Sequence, residues 1–299
     1  MLIDASDLPP QLVSAIEFNL GATRAKNWLK TAAESANKHA AGWGVSLETV
    51  LVGGALSLCV LGRNEAGRQV VMKIPSDVET GRNEIEALTA WHGVGAPRVI
   101  DSDPENSVFL MEYLVEDNRR IFSSNVFELA DTLHSEDRLH NFILPGLDAN
   151  VEMRIEWAEE RFSDPVYAHL RSDLKVAKFI ARRLLATSGE KVLLHGDFQR
   201  KNLVSTAEGL RTLDPHACIG EGVFDAAFWL GLVHHDRPIV EILNSYSADK
   251  ASIDFYRFCC WTWVISVIEN RPYQLPGAKE RQHFIESFHS AVTAMAASL

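Results

Sequence analysis

Apolar positions along the chain follow a helical period first, then strands, then helices again. Between residues 11 and 41, Leu12, Ile16 and Leu20, then Trp28 and Leu29, recur at three- and four-residue intervals, which predicts helix stopped by Gly42-Trp43-Gly44. Residues 45–52 read as a strand running into Gly53-Gly54. Residues 56–61 and 69–74 read as two more, joined by the polar turn Arg63-Asn64-Glu65-Ala66-Gly67 and ended by Pro75. Residues 80–91 set Ile85, Leu88 and Trp91 on one face of an amphipathic helix bounded by Gly93 and Gly95. Residues 99–100 and 108–114 complete a small sheet.

Beyond about residue 115 the pattern turns mostly helical, with segments at 124–135, 150–162, 166–187, 223–233, 238–245, 251–269 and 277–297. A hairpin over residues 195–215 interrupts them. A strand-rich part holding one helix, followed by a helical part, predicts an α+β fold in two lobes, 1–114 and 115–299. No internal repeat or low-complexity segment breaks this plan.

A hydrophobic share of 46% over 299 residues is ample for such cores. Forty acidic against 29 basic residues give a net charge of -11, which disfavours nucleic acid and anionic membranes and suits a cationic partner. The start, Met1-Leu2-Ile3-Asp4-Ala5-Ser6-Asp7, has no basic-then-apolar signal pattern, and the longest apolar run, 258–268, is too short for a bilayer. Cys59, Cys218, Cys259 and Cys260 lack metal-type spacing and read as free thiols. Together these predict a cytoplasmic enzyme.

The chemistry concentrates in His195-Gly196-Asp197-Phe198-Gln199-Arg200-Lys201-Asn202 and in Leu213-Asp214-Pro215. A carboxylate at Asp197 suits alignment and deprotonation of a hydroxyl, while Asn202 and Asp214 are a neutral and an anionic oxygen donor fit for magnesium. Each alone reads as a turn residue; their grouping is what carries the reading. His195 reads as a framework residue of the loop. Lys73, in Val70-Val71-Met72-Lys73-Ile74, either reaches solvent or enters a cleft, and Glu84 eleven residues on is placed to pair with it. Glu86 competes for that cation but faces away from Glu84's side of the helix. Gly53-Gly54-Ala55-Leu56-Ser57 forms a turn whose amides suit phosphate, with Ser57 as the side-chain contact.

In order and spacing these pieces resemble the aminoglycoside phosphotransferase family, nearest its streptomycin and hydroxyurea resistance kinases. The residues that carry the likeness are His195-Gly196-Asp197 to Asn202, Leu213-Asp214-Pro215, Ile219-Gly220-Glu221 and Phe224-Asp225-Ala226-Ala227. Trp28-Leu29, Gly42-Trp43-Gly44, Gly53-Gly54 and Val71-Met72-Lys73-Ile74 add to it upstream. The resemblance implies a bilobal protein-kinase-like fold, with a small N-terminal sheet lobe holding one regulatory-type helix and a larger helical lobe. It implies that Asp197 is the catalytic Asp, that Asn202 and Asp214 bind Mg2+, and that Lys73 with Glu84 orders the phosphates of ATP or GTP. The stretch Phe109-Leu110-Met111-Glu112-Tyr113-Leu114 is similar to the hinge between lobes. There Glu112 and Leu114 would meet the adenine edge, with Met111 beside the ring, and Asp225 would brace the catalytic loop. The loop departs from the family in lacking its usual His or Pro between Asp and Asn, and Glu116-Asp117-Asn118-Arg119-Arg120 replaces a Gly-containing turn.

A cationic acceptor needs carboxylates, and Glu156, Glu160, Glu221 and Glu269 are the candidates, beside the stretch Trp261-Thr262-Trp263. The expected activity is transfer of a γ-phosphate to a hydroxyl of a cationic antibiotic, an aminoglycoside or a basic peptide. The same chemistry on an amino alcohol, a sugar or hydroxyurea is the alternative. A nucleotide-binding pseudokinase is disfavoured, because Lys73, Asp197, Asn202 and Asp214 are all present.

Overall fold

Alternation over residues 69–75 sets Val70, Met72 and Ile74 on one sheet face and Lys73 on the other, and the whole first part is organised around that division. The structure, a computed structural model, describes residues 2–52, 56–135, 143–232, 238–249, 254–271 and 278–298. By chain contacts it divides into two compact units, Met1–Glu116 and Asp117–Leu299.

In the first unit, β1 (Ser46–Leu51), β2 (Ser57–Arg63), β3 (Gln69–Pro75), β4 (Val99–Asp103) and β5 (Val108–Glu112) form one antiparallel sheet in the order β1-β2-β3-β5-β4. Lys73 stands opposite Cys59 on β2 and Phe109 on β5. Two helices, α1 (Pro10–Leu20) and α2 (Ala22–Gly42), cover one face of this sheet. Leu12, Ile16, Leu29 and the alanines of α2 pack there against Leu58, Val60, Met72 and Leu110, large side chains worth roughly 1.5–3 kcal/mol each when fully buried. The single helix expected over 11–41 is therefore two. Gly21 breaks it at φ 77, its N–H closing α1 on the Glu17 carbonyl and its own carbonyl opening α2 on the Ala25 N–H. A third helix, α3 (Val78–Trp91), is capped by Asp77, whose side chain accepts from the Thr80 N–H, and packs on β3 and β4.

The second unit contains α4 (Ser123–Leu133), α5 (Leu147–Arg161) and α6 (Arg171–Ala186), then α7 (Val223–Leu232), α8 (Ile239–Asp249), α9 (Phe255–Ile268) and α10 (Ala278–Ser298). The helix expected over 166–187 is shorter, because Asp164 caps a 3-10 turn at Pro165–Leu170 ahead of α6. The starts expected at 251 and 277 lie outside the described residues, as do Gly53, Gly54 and Ala55. Every residue of α9 from Phe258 to Ile268 is buried, and α6, α7 and α10 pack around it. Trp261 and Trp263 therefore belong to the core. Between α6 and α7 the chain makes β6 (Val192–Leu194), a hairpin of β7 (Leu203–Thr206) and β8 (Gly209–Thr212), and β9 (Cys218–Gly220), which pairs back on β6. Among the described residues no helix is long and apolar enough to cross a membrane.

Candidate active site

The loop from β6 to β7 is held by groups that leave it little freedom. Asp225, in the first turn of α7 and fully buried, accepts the N–H of His195 at 2.8 Å and of Gly196 at 2.9 Å, and takes a third bond from His134 Nε2. Burial works to raise the Asp225 pKa, but the His134 contact and these amides hold it below the usual carboxylate range. Gly196 sits at φ 71, and a Cβ there would meet the His216 carbonyl oxygen at 2.2 Å, so no other residue fits. His195 is buried; its Nδ1 accepts the Asp197 N–H and its Nε2 donates to the Leu213 carbonyl at 2.9 Å. This imidazole ties the 195–202 loop to the segment bearing Asp214, a framework role.

The Asp197 carboxylate, 6% exposed, is enclosed by donors. Oδ1 accepts from Arg154 Nη2 at 3.0 Å and Gln199 Nε2 at 2.8 Å, and Oδ2 from Gln199 Nε2 and Asn202 Nδ2, both at 2.8 Å. Lys201 Nζ lies 3.7 Å from Oδ2. Burial would raise this pKa, yet the Arg154 guanidinium, with Lys201 and Gln199, holds the carboxyl well below its ordinary range. Asp197 therefore stays ionised and fixed in orientation.

Arg154 was not visible in the sequence pattern. It lies in the middle of α5, buried, and also donates to Glu269 Oε1 at 2.6 Å, the Asn150 side chain at 2.9 Å and the Gly196 carbonyl at 2.7 Å. Its guanidinium stands 4.4 Å over the Phe228 ring. Desolvation opposes its charge, but Glu269 and Asp197 outweigh that and raise its pKa. The only advance signal was a cation at an otherwise apolar position of α5, where Val151, Ile155 and Ala158 are buried.

Asn202 donates from Nδ2 to both Oδ2 and the main-chain oxygen of Asp197, which orients its amide and leaves Oδ1 on the opposite side. Its own carbonyl accepts from the Leu213 N–H at 2.8 Å, placing Asp214 one residue from this junction. Asp214 adopts φ 53, a left-handed conformation that Asp tolerates, and is exposed. Among the described residues no three His, Cys, Asp or Glu side chains converge on a metal position. An amide oxygen beside a carboxylate nonetheless fits magnesium, which keeps several waters and needs few protein ligands when phosphates supply the rest.

In the first unit, Lys73 Nζ and Glu84 Oε1 are 2.6 Å apart, both side chains 5% exposed, with the cation 5.9 Å from the Phe109 ring centre. Ser57 opens β2 across from Pro75. Met111 is buried on β5 opposite Val71, the Glu112 N–H donates to the Arg98 carbonyl, and Leu114 follows the strand end, half-buried.

The expected substrate carboxylates separate into two kinds. Glu156 and Glu160 are exposed on α5. Glu221 and Glu269 are not offered to a ligand: Glu269 is buried against Arg154, and Glu221 forms a two-pronged pair with Arg257, both contacts 2.6 Å, and accepts the Trp261 indole N–H. Glu159, on the same helix, pairs with Lys178.

A small antiparallel sheet unit with a buried Lys–Glu pair, and a helical unit with a braced Asp…Asn loop, define a protein-kinase-like small-molecule phosphotransferase. A family model described as aminoglycoside/hydroxyurea antibiotic resistance kinase matches residues 42–237, and the chain belongs to that family. Comparison with curated proteins gives no match. Among solved structures, the putative fructosamine-3-kinase of Thermobifida fusca YX-ER1 superposes with a TM-score of 0.56 at 16% identity, covering 86% of this chain and 96% of its own. The aminoglycoside phosphotransferase APH(4)-Ia superposes with a TM-score of 0.56 at 12% identity, covering 90% and 98%. A thermostable mutant of that enzyme was solved in ternary complex with ADP and hygromycin B, with a TM-score of 0.50 at 12% identity and coverage of 86% and 97%. At these identities the likeness is one of fold.

Proposed function

We propose that this kinase transfers the γ-phosphoryl group of ATP or GTP to a hydroxyl of a cationic antibiotic, with Asp197 as the catalytic carboxylate. The observation that carries the reading is the Asp197 carboxylate itself, ionised and held by Arg154, Gln199 and Asn202 inside a loop braced by Asp225. The acceptor hydroxyl donates to Asp197 and is aligned for attack on the γ-phosphorus. The new O–P bond forms as the bond to the bridging oxygen breaks, nucleoside diphosphate departs, and Asp197 receives the proton as the transfer completes. A carboxyl held so far below neutrality is a weak base, so orientation is its larger contribution.

In this reading Lys73, fixed by Glu84, contacts the α- and β-phosphates, Ser57 contacts phosphate, and the strand end at Met111, Glu112 and Leu114 receives the base. Asn202 and Asp214 would hold magnesium, whose charge neutralises the phosphate oxygens when bound. Binding of ADP and hygromycin B by the distant APH(4)-Ia variant supports a nucleotide co-substrate and an aminoglycoside-type acceptor. A second reading, the same transfer to a neutral metabolite such as hydroxyurea, is favoured by the withdrawal of Glu221 and Glu269 into internal pairs. A coupled ADP-release screen over aminoglycosides, basic peptide antibiotics, amino alcohols, sugars and hydroxyurea decides between them. A saturable signal with a cationic antibiotic is expected; a signal confined to neutral metabolites would replace the first reading with the second.

A further inference from the structure

An incoming hydroxyl must donate to the Asp197 carboxylate, which is already surrounded by donors. An ionised carboxylate offers about four acceptor positions over its two oxygens. Arg154 Nη2 and Gln199 Nε2 bond to Oδ1 at 3.0 and 2.8 Å, and Gln199 Nε2 and Asn202 Nδ2 bond to Oδ2, both at 2.8 Å. Lys201 Nζ, at 3.7 Å, stands beyond hydrogen-bond range. Each oxygen therefore carries two donors, with the Gln199 amide astride both. A hydroxyl is aligned only after one of them leaves.

What else holds each donor decides which one leaves. Arg154 is buried and bonded to Glu269, Asn150 and the Gly196 carbonyl. Asn202 is buried, and its Nδ2 also donates to the Asp197 main-chain oxygen at 2.9 Å. The Gln199 side chain is half-buried and, among the described residues, bonds to Asp197 alone. Its backbone is fixed, the N–H donating to the Asp197 carbonyl at 2.9 Å and the carbonyl accepting the Asn202 N–H at 3.0 Å. Release of the amide thus needs only rotation about side-chain bonds, with the loop left in place.

From this arrangement we infer that Gln199 is a positioning residue that locks the Asp197 carboxylate until an acceptor hydroxyl displaces its amide, and so denies that carboxylate to water between turnovers. The inference rests on the reading of Asp197 as the catalytic carboxylate and holds for any hydroxyl-bearing acceptor. The reaction that the lock suppresses is hydrolysis. In it a water oxygen bonds to the γ-phosphorus as the bond to the bridging oxygen breaks, giving nucleoside diphosphate, inorganic phosphate and one proton. An acceptor competes with the amide on better terms than water does, because its other contacts hold the hydroxyl in place.

The test measures phosphate release by the full-length protein from magnesium-ATP with no acceptor present. Gln199→Ala is expected to raise the rate by roughly 2- to 10-fold, the worth of one hydrogen bond net of its exchange with water, with the nucleotide KM unchanged. Gln199→Met keeps the length of the side chain without a donor and should match Gln199→Ala; a rise in Gln199→Ala alone would assign the effect to packing and overturn the lock. Adding Asp197→Ala to Gln199→Ala should abolish the gain, since the lock acts only through that carboxylate. Circular dichroism and nucleotide affinity matching the wild type show that the variants are folded. If both Gln199 variants release phosphate no faster than the wild type while Asp197→Ala is slowed, the lock is overturned and the catalytic reading of Asp197 stands. If the gain persists in the double variant, the lock and that reading fall together.

Discussion

Each unit of the molecule is built around a buried ion pair, and the two pairs differ in kind. Lys73 and Glu84 are eleven residues apart and meet at 2.6 Å between a strand and the helix that follows it, beside Phe109. Arg154 reaches Asp197 across 43 residues and Glu269 across 115, and is also bonded to Asn150 and the Gly196 carbonyl. The first pair is a local device that fixes one cation. The second is a junction of α5, the 195–202 loop and the end of α9, so the position of the Asp197 carboxylate depends on packing of the helical unit as a whole. The 195–202 loop is thereby given the rigidity of a core.

The comparison breaks most readily at its cations. Arg154→Met should destabilise the protein by about 3–5 kcal/mol, because it removes the buried counter-charge that Asp197 and Glu269 share. Glu84→Gln neutralises one carboxylate of a contact between neighbouring elements and should cost less, with its main effect on nucleotide affinity. Urea midpoints and nucleotide titrations on both variants check this, and an Arg154→Met variant as stable as the wild type would remove the junction from the account. Arg154→Lys, which keeps charge but cannot fork to Asp197 and Glu269 together, should fall between.

A smaller effect separates the units by pH. His195 and His216 fold neutral, the latter with its pKa pushed down to about 4 by burial, so the unfolded chain takes up protons first as pH falls below 6.5. Stability should decline from there, and more steeply below about 4, where the depressed carboxyls of Asp197 and Asp225 bind protons more readily in the unfolded chain. All four groups lie in the second unit, and Asp225→Asn should shallow the acid limb of a thermal-midpoint profile. A profile rising toward low pH would contradict these assignments. The smallest effect belongs to Lys201, 68% exposed and 3.7 Å from Asp197: Lys201→Ala should change stability by less than about 1 kcal/mol.

What could be read in advance follows the same division. Strand alternation exposed the sheet, and the eleven-residue spacing exposed Lys73 with Glu84, because both are relations between neighbouring elements. The His195-Gly196-Asp197…Asn202 loop was legible because its residues are adjacent in sequence, and Asp225 through the family resemblance carried by Phe224-Asp225-Ala226-Ala227. Arg154 and the fate of Glu221 and Glu269 were not. Periodicity marked α5 as a helix but could not say which of its charged residues point inward, since that is settled by Glu269 at the end of α9 and Asp197 in the loop, 115 and 43 residues from Arg154 in sequence. The break at Gly21 was missed for a simpler reason: one glycine interrupts a helical pattern without altering its hydrophobic period.

The central claim, that Asp197 orients a hydroxyl for phosphoryl transfer, is tested most directly by finding where the phosphate goes. Streptomycin incubated with the enzyme, magnesium and ATP, then analysed by 31P NMR and mass spectrometry, should yield a phosphomonoester on the antibiotic with the wild type. With Asp197→Ala the product should form ~10²–10⁴-fold more slowly while magnesium-nucleotide still binds. Product formed by Asp197→Ala at the wild-type rate would contradict the claim.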